Sequence, residues 1–325
     1  MRRRTALALI PALCVPPARR AAAQATFPDR PLRMVIPFTA GGSNDIVGRM
    51  IAEGMGTRLG QSVIVENRGG AGGVIGSEAV ARAPKDGYTF LLGGSGSFLI
   101  SSLVQPRVPY DIIRDFAPIG FIGAAPAVIA VNPRVAATTL AELRGLARSG
   151  GTPVSYASPG VGTTGHLLGA LMAQVFGAEM DHVPYRGTGP AMTDVIAGRV
   201  QVITNAAAPF LPHIAAGTLR ALAVASPRRL AILPDVPTTA EAGFPDILSA
   251  TWYGLLAPAG TPPDRIATLH AALAATLADG SVQRRLAEEG AEVEPSPQPA
   301  DFGRYIAEDR ARWQQVVTRT NIRAE

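Results

Sequence analysis

The chain has 325 residues, which is enough for two domains with a sizeable buried core. Hydrophobic residues make up 47% of the sequence and charged residues 17%, a composition that indicates a globular protein and excludes a disordered or repeat-built chain. The formal net charge is +5, but the first 25 residues contain five arginines and no acidic residue. Because the remaining chain is therefore close to neutral, its charge gives no reason to expect a nucleic-acid partner.

The N-terminal segment, residues 1–25, is typical of a secretory signal peptide. A basic start, "MRRR", precedes the apolar run "TALALIPALCVP", and "AAAQA" ends in small residues, so cleavage is predicted near Ala25. A membrane anchor fits less well, because the apolar run is far shorter than the ~20 residues that span a bilayer. A lipoprotein anchor would use Cys14, but Leu13 before it is too large. We predict export, by the general or the twin-arginine route.

Five segments combine a strand pattern, a glycine-rich turn and a helix pattern. The first is "MVIPFTAGGSNDIVGRM", residues 34–50. The others are residues 63–83, 88–103, 154–176 and 182–199. Strands that alternate with helices predict a parallel α/β architecture. In such sheets the turns lie at the carboxyl ends of the strands, where ligands bind.

Two further regions indicate how the chain is divided. Residues 116–131, "FAPIGFIGAAPAVIAV", are uncharged, but they are too few to span a membrane and are interrupted by Pro118 and Pro126. We interpret them as buried strands that cross between two domains. Nearer the C-terminus, "TWYGLLAP" predicts a strand and "TPPDRIATLHAALAATLAD" a helix capped by Thr261. The pattern predicts two sheets joined by two crossovers, with a cleft between them.

A dinucleotide site is one candidate function, because Gly160, Gly162 and Gly165 form a G-x-G-x-x-G motif between a strand and a helix. Asp181 lies at about the distance of a ribose-binding acid, but it begins the next strand when it should end it. Pro159 also stiffens the strand exit, and NAD is scarce outside the cytoplasm. No phosphate-binding GxxxxGK[ST] motif is present. We therefore predict no nucleotide cofactor.

Hydrolysis and metal binding are also poorly supported. The sequence has no G-x-S-x-G motif, and nothing in it pairs Ser43, Ser95 or Ser97 of the glycine-rich turns with a histidine. No two of the four histidines have the spacing of metal ligands, and Cys14 is the only cysteine. We predict no catalytic residue, no metal and no cofactor.

Anion binding by backbone groups remains. Each glycine-rich turn presents free N–H groups at a helix N-terminus, where the helix dipole favours negative charge. The accompanying side chains could be simple helix caps. They are Ser43, Asn44, Ser95, Thr163, Thr164 and Thr188. Because Arg68 and Arg186 are the only cations on these turns, a carboxylate is favoured over a phosphate.

Several motifs resemble those of the Bug family, the periplasmic receptors of tripartite tricarboxylate transporters. The resemblance extends from about Phe27 to the C-terminus. It rests on "PFTAGGSND", "ENRGGAGGVIGSEAVARAPKDGYTFLLG", "YASPGVGTTGHL", "VPYRGTGPAMTDVIAGRVQV", "LPDVPTTAEAGFP" and "WYGLLAPAGTP". It implies a type II periplasmic binding protein fold, with two α/β lobes joined by two crossover strands around a central cleft. The expected lobes are residues 26–122 with 250–325, and residues 123–249.

The resemblance also implies a function and a site. A monomeric receptor would close on a small carboxylate, without nucleic acid or cofactor, and deliver it to a membrane permease. One ligand carboxylate would lie between the first turn and the turn at residues 160–164, and other turns would line the rest. The implied ligand-binding residues are Phe38, Ala40, Gly41, Gly42, Asn44, Asp45, Ser95, Gly160, Gly162, Thr163, Thr164, Tyr185, Gly187 and Asn205.

This sequence departs from the family pattern at one position. After "GRVQV", family members commonly have a hydrophobic residue, an aromatic residue and an aspartate, whereas this chain has Ile203, Thr204 and Asn205. The neutral amide disfavours amino-acid ligands, unless Asn205 merely caps the next turn. Two rival functions remain: a periplasmic sensor that presents its closed form to a signalling protein, and an enzyme on the same fold. The sequence does not identify the carboxylate.

Overall fold

The structure is a computed structural model that describes residues 27–105 and 107–320. The predicted signal peptide, residues 1–25, lies outside these ranges. Within them, no helix combines the length and the apolar character that a membrane crossing requires.

Strands and helices alternate along the described chain. The strands are β1 (Leu32–Ile36), β2 (Val63–Asn67), β3 (Thr89–Gly94), β4 (Phe116–Val131), β5 (Val154–Ser158), β6 (Met180–Pro184), β7 (Val202–Ala206), β8 (Arg220–Val224), β9 (Ala250–Pro258) and β10 (Glu292–Val293). The helices are α1 (Ser43–Leu59), α2 (Val74–Ala81), α3 (Ser101–Val104), α4 (Leu140–Ala147), α5 (Thr164–Phe176), α6 (Thr188–Ile196), α7 (Leu211–Ala215), α8 (Pro263–Leu277), α9 (Gly280–Glu288) and α10 (Pro299–Thr320). Short helical turns occur at Ala71–Gly73, Ser95–Ile100 and Ala208–Phe210.

The strands form one sheet in the order β2-β1-β3-β9-β4-β7-β5-β6, and β8 and β10 also pair with β4. Strand β1 is parallel to β2 and β3, and β5 is parallel to β6 and β7. These parallel groups contain the five strands predicted to precede glycine-rich turns. The turns accordingly lie at the carboxyl ends of the strands, as predicted.

Strand β4 belongs to both halves of the sheet. Its first part pairs with β9 and β10, and its second part pairs with β7 and β8. Just before β9, the backbone of Ser249 bonds to Ala127 and Ala225, so a second stretch of chain crosses beside β4. We call β1, β2, β3, β9 and β10 the first half of the sheet, and β5 to β8 the second half. The predicted crossing region, residues 116–131, is one continuous strand.

Each half of the sheet is buried on both faces. In β1, Met34 and Ile36 pack with α1 in one hydrophobic cluster, whereas Val35 belongs to another cluster. In β4, Ile129 belongs to one hydrophobic cluster of the second half, and its neighbour Val128 belongs to the other. Successive side chains of a strand point to opposite faces, so strands covered on both faces appear as continuous apolar runs.

The predicted cap of the helix after β9 is wrong by one residue. Helix α8 begins at Pro263, and Pro262 is its cap. The hydroxyl of Thr261 donates to the carbonyl of Pro258 at 2.8 Å and caps no helix N–H. Pro262 and Pro263 have no N–H, so fewer backbone donors at the start of this helix need a side chain that accepts a hydrogen bond.

Candidate functional site

A cavity of about 20 Å³ lies between the two halves of the sheet. Four of the five glycine-rich turns contribute to it, together with β7 and β9. Its lining consists of Phe38, Gly42, Ser43, Asn44, Gly96, Ser97, Pro159, Thr163, Thr164, Thr188, Asn205 and Thr251. None of these side chains is charged.

The first residues of three helices line this cavity. They are Ser43 of α1 from the first half, and Thr164 of α5 and Thr188 of α6 from the second half. The helices have 17, 13 and 9 residues. N–H groups in the first turn of a helix have no partner within the helix, and the helix dipole makes that end positive. The cavity therefore offers donors and a positive potential without a cationic side chain, which suits a small anion.

Two polar atoms of the cavity lining lack a hydrogen-bond partner among the described residues. They are Asn44 Oδ1 and Ser97 Oγ, and both side chains are buried. Buried polar groups in folded proteins are nearly always paired, because an unpaired group forfeits its hydration. These two atoms therefore point to a bound polar molecule as their missing partner.

The first turn is shaped by Asp45, which does not itself line the cavity. Its carboxylate accepts hydrogen bonds from the Gly41 N–H at 3.0 Å, from Arg49 at 3.0 Å and from Asn67 at 3.0 Å. Burial alone would raise the pKa of Asp45, but these hydrogen bonds outweigh it and hold the pKa below its ordinary value. Asn67 Nδ2 also donates to the carbonyl of Phe38 at 3.1 Å. Asp45 and Asn67 thus hold the turn that starts α1.

The turn before α5 is held from within. The Thr163 hydroxyl donates to the Gly160 carbonyl at 2.7 Å and accepts from the His166 N–H at 3.3 Å, so it caps the helix. The Gly162 N–H donates to His166 Nδ1 at 3.2 Å. In this conformation the Gly162 N–H and the Thr163 hydroxyl are occupied by protein groups, which leaves the first N–H groups of α5 to meet a ligand.

Several hydrogen bonds join the two halves around the cavity. The hydroxyls of Thr164 and Thr251 are 2.6 Å apart. On the rim, Gln105 Nε2 donates to the carbonyl of Val161 at 3.4 Å. Ser101 Oγ, which donates to the Gly72 carbonyl at 2.7 Å, lies 3.3 Å from the carbonyl of Gly162. These contacts connect α3 and the residue after it, in the first half, to the turn before α5, in the second.

Asn205, on β7, lines the cavity. Its Nδ2 donates to Thr188 Oγ1 at 2.6 Å and to Ser43 Oγ at 3.3 Å. The second bond crosses between the halves of the sheet. Asn205 is 5% exposed, and the donor bonds of its amide go to two other residues of the cavity lining.

A serine–histidine pair that the sequence did not predict lies behind the turn before α5. Ser158 Oγ is 2.6 Å from His182 Nε2. Hydrolases use such a pair, with the serine open to substrate and an acid that orients the histidine. Ser158 is fully buried, and among the described residues no carboxylate bonds to His182. Ser158 instead accepts from the Gly160 N–H at 3.2 Å, a structural role.

Six of the fourteen predicted ligand-binding residues line the cavity. They are Phe38, Gly42, Asn44, Thr163, Thr164 and Asn205. Ala40 and Gly41 are exposed at the tip of the first turn, while Asp45 braces it. Gly160 and Gly162 lie in the turn before α5, whose neighbours Pro159 and Thr163 line the cavity.

The remaining three predicted residues contact other parts of the protein. Ser95 Oγ accepts from the Trp252 N–H of β9 at 3.3 Å. The Tyr185 hydroxyl donates to Asp194 at 2.7 Å. Gly187 is the cap of α6 and has φ +144°, and a Cβ there would overlap the Thr39 hydroxyl. Only glycine fits this close approach.

Six residues of the cavity lining were not among the predicted set. They are Ser43, Gly96, Ser97, Pro159, Thr188 and Thr251. All but Thr251 lie within two residues of a predicted residue on the glycine-rich turns, so the turns themselves are the sequence signal for them. Thr251 comes from β9, and no local pattern marks it. The described residues contain no group of three or more histidine, cysteine or acidic side chains that could hold a metal ion.

Comparison with known proteins identifies the family. The profile described as "Tripartite tricarboxylate transporter family receptor" matches residues 47–322. Protein BugT of Bordetella pertussis is 36% identical over 299 residues, which cover 92% of this chain and 91% of BugT. The chain belongs to this receptor family. The resemblance noted in its sequence motifs is thereby confirmed.

Solved structures confirm the fold. The periplasmic binding protein BugD has 34% sequence identity and a TM-score of 0.87, over 92% of this chain and all of BugD. Rpa4515 of R. palustris, solved with adipate, has 35% identity and a TM-score of 0.88, over 91% of this chain and 99% of Rpa4515. The receptor therefore has the type II periplasmic binding protein fold, with two α/β lobes around a central cleft.

Proposed function

We propose that this receptor is exported, captures a small carboxylate in the cavity between its lobes and delivers it to the membrane permease of a tripartite tricarboxylate transporter. The observation that carries the proposal is the convergence of three helix N-termini, from both halves of the sheet, on a cavity with no charged side chain. The adipate bound to its relative Rpa4515 is a ligand of this class. The N-terminal 25 residues would serve as the export signal.

The ligand carboxylate would be held between the starts of α1 and α5. Backbone N–H groups of the first turn would face those of α5, one set from each lobe. In this arrangement Asp45, Gly160 and Gly162 shape the two turns, and Ser95, Tyr185 and Gly187 support the walls. The unpaired Asn44 Oδ1 and Ser97 Oγ would meet polar groups elsewhere on the ligand.

Capture would require the lobes to separate and close. We assign residues 26–122 and 250–325 to one lobe and residues 123–249 to the other, with the hinge at β4 and the chain before β9. A cavity of about 20 Å³ has room for roughly one water molecule, so a carboxylate cannot enter the closed form. Small-angle scattering should show a monomer whose radius of gyration falls when adipate saturates it. An unchanged radius at demonstrated saturation would contradict this closure.

Asn205 should direct the receptor away from amino acids. Its amide supplies a donor to Ser43 and Thr188 and carries no charge that would pair with a ligand ammonium. We expect Asn205→Asp to lose affinity for adipate, through repulsion in a closed cleft, and to gain affinity for glutamate. Calorimetry with both ligands measures this. If both affinities match those of the wild type, ligand choice is made elsewhere in the cleft.

The deciding experiment starts with protein isolated from the periplasm. Native mass spectrometry identifies any retained ligand, and calorimetry then compares adipate, malate and glutamate. Chemical analysis of the ligand after incubation tests for turnover, which a receptor does not produce. Uptake of radiolabelled ligand into vesicles that contain the permease, with and without the receptor, tests delivery. A receptor that binds no carboxylate, or that converts it, would overturn the proposal.

A further inference from the structure

We infer that the stacked imidazoles of His166 and His182 are positioning residues for the turn Gly160–Thr163, and that the His166 ring must be neutral for this turn to present the first N–H groups of α5 to a carboxylate. The inference rests on the proposed function, because it concerns the same site. It adds a property that the function does not require, namely release of ligand in acid through the His166 side chain.

His166 holds the turn through two of its atoms. Its ring Nδ1 accepts the Gly162 N–H at 3.2 Å, so this nitrogen must carry no proton. Its backbone N–H donates to the Thr163 hydroxyl, which in turn donates to the Gly160 carbonyl at 2.7 Å. The ring and the backbone of one residue therefore fix the turn and the start of α5 together.

His182, on the neighbouring strand β6, holds the other end of the turn. Its Nε2 lies 2.6 Å from Ser158 Oγ, and Ser158 Oγ accepts the Gly160 N–H at 3.2 Å. Ser158 Oγ also lies 3.1 Å from the Gly160 carbonyl, so its single hydrogen can go to that carbonyl or to His182 Nε2. In either arrangement His182 fixes Ser158, and Ser158 fixes the backbone of Gly160.

The two rings stack on each other, with centroids 3.9 Å apart and planes inclined by 9°. Two positive rings at this separation would repel strongly, so the stack favours neutral imidazoles. His182 also stacks on the ring of Tyr156, and the centroids of these two rings are 4.9 Å apart. His166 is 8% exposed, and burial lowers its pKa to about 4. Burial and the neighbouring His166 lower the pKa of His182 to about 3.

Among the described residues, the elements that pack against α5 supply no charge that would stabilise a protonated ring. Helix α5 packs against β5, β6, β7 and the turn Ser95–Ile100. The segments β5, β7 and Ser95–Ile100 contain one titratable residue, Tyr156. Strand β6 adds Asp181, which is exposed and, as the neighbour of His182 on a strand, points to the opposite face. Protonation of His166 would place two N–H groups against each other at Gly162 and release the turn.

The experiment compares His166→Asn with His166→Leu. An asparagine oxygen lies where Nδ1 of histidine lies, so His166→Asn keeps the acceptor for Gly162 and removes the titration. Leucine removes both. His213→Asn is the matched control, because His213 lies on α7 and contacts Thr218 outside the cavity. Calorimetry with adipate or malate is run at pH 7, 4 and 3, with circular dichroism to verify the fold at each pH.

We expect His166→Asn to bind within about threefold of the wild type at pH 7, and His166→Leu to bind at least about tenfold more weakly. With a pKa of about 4, half of the wild-type molecules are neutral at pH 4, so their apparent Kd rises about twofold there and about tenfold at pH 3 relative to His166→Asn. Titration of the ligand itself cancels in this ratio. The His213→Asn ratio should follow the wild type.

Equal pH profiles for wild type and His166→Asn would overturn the inference, as would wild-type affinity of a folded His166→Leu at pH 7. The amide resonance of Gly162, followed by NMR from pH 7 to 3 without ligand, provides an independent measurement. It should shift with protonation of His166 in the wild type and stay constant in His166→Asn. If no carboxylate binds the wild type at pH 7, the proposed function fails, while the Gly162 resonance still decides the inference.

Discussion

The turns that start α1 and α5 have the same structural role but are held by different kinds of side chain. Both lead a helix N-terminus into one cavity, and each comes from a different lobe. The first is held by a carboxylate, Asp45, paired with Arg49. The second is held by the neutral ring of His166. Asp45 and His166 are both buried, at 5% and 8% exposure, but Asp45 pairs with Arg49, whose side chain is 54% exposed, so the charged brace has a compensating cation at the solvent edge and the neutral one needs none.

The difference follows from the cost of burying charge. The buried Asp45 carboxylate is compensated by an arginine that keeps contact with water, whereas an imidazolium buried between two lobes would lose most of its hydration without a paired charge. A neutral nitrogen still accepts a backbone N–H and carries no such penalty. The two turns should therefore respond differently to added side chains, to acid and to loss of their braces.

The largest expected effect is a difference in adipate binding between a Gly162 variant and a Gly41 variant. Both have positive φ, +79° and +81°, so alanine at either adds about 1–2 kcal/mol of backbone strain. A Cβ at Gly162 would also lie 2.5 Å from Val104 Cγ2 across the cleft, whereas a Cβ at Gly41 meets no atom within 4 Å. We expect Gly162→Ala to lose measurable adipate binding by calorimetry, and Gly41→Ala to bind within about threefold of the wild type.

Urea unfolding of both glycine variants supplies the control for that experiment. Each should lose similar stability, because the strain is the same, so a difference in binding reports closure of the lobes and not folding. Equal binding by the two variants would show that the turn before α5 does not approach α3 in the ligand-bound form.

The next largest effect concerns acid. The pKa of His166 falls from an ordinary 6.5 to about 4 in the folded protein, so the unfolded chain binds a proton first as pH falls. The stability from its neutral state is complete above pH 6.5 and is lost toward pH 4, about 3 kcal/mol at ~1.4 kcal/mol per pH unit. The free energy of unfolding, measured in urea at pH 7 and at pH 4, should fall between these pH values in the wild type. In His166→Asn the part of this decrease that comes from His166 should be absent.

Asp45 should contribute little to that decrease. Its pKa lies below its ordinary 3.8, so its stabilising contribution is present above pH 3.8 and is lost only below it. If the slope between pH 7 and 4 disappeared in Asp45→Asn and persisted in His166→Asn, the roles assigned to the two braces would be reversed.

Removing the charged brace should have a moderate effect. Asp45→Ala leaves Gly41 and Asn67 without their acceptor, and hydrogen bonds to a charged group are worth about 1.5–3 kcal/mol. We expect a loss of that size in urea unfolding at pH 7. Asp45→Asn, which keeps an acceptor oxygen, should lose less. Equal losses would mean that the charge, and not the hydrogen bonds, holds the first turn.

The smallest effect is expected at Thr163. Its hydroxyl caps α5 and is already engaged with Gly160 and His166. Thr163→Ala should therefore lower stability by about 1 kcal/mol, the usual effect of losing a helix cap. Thr163→Ser keeps the hydroxyl and serves as the control. A loss of adipate affinity larger than the loss of stability would instead place the hydroxyl on the ligand.

Much of the fold was predictable because its signals are local. Strand, glycine-rich turn and helix follow one another within about twenty residues five times, and β4 is an unbroken uncharged run. Which turns line the cavity could be anticipated for the same reason, since glycine-rich turns after parallel strands lie at one edge of the sheet. The predicted cap at Thr261 failed because the two prolines that follow it, Pro262 and Pro263, changed which backbone groups needed a partner.

The direction of each side chain was decided only by the tertiary structure. Asp45 lies in the first turn by sequence, yet Asn67 and Arg49 draw its carboxylate away from the cavity lining. Thr251 reaches the cavity because β9 returns to the sheet after the whole second lobe. His166 and His182 stack because β6 lies beside β5. Sequence periodicity and turn residues determine local backbone shape, but partners far apart in the chain meet only after the lobes have packed, and those partners decide what each side chain faces.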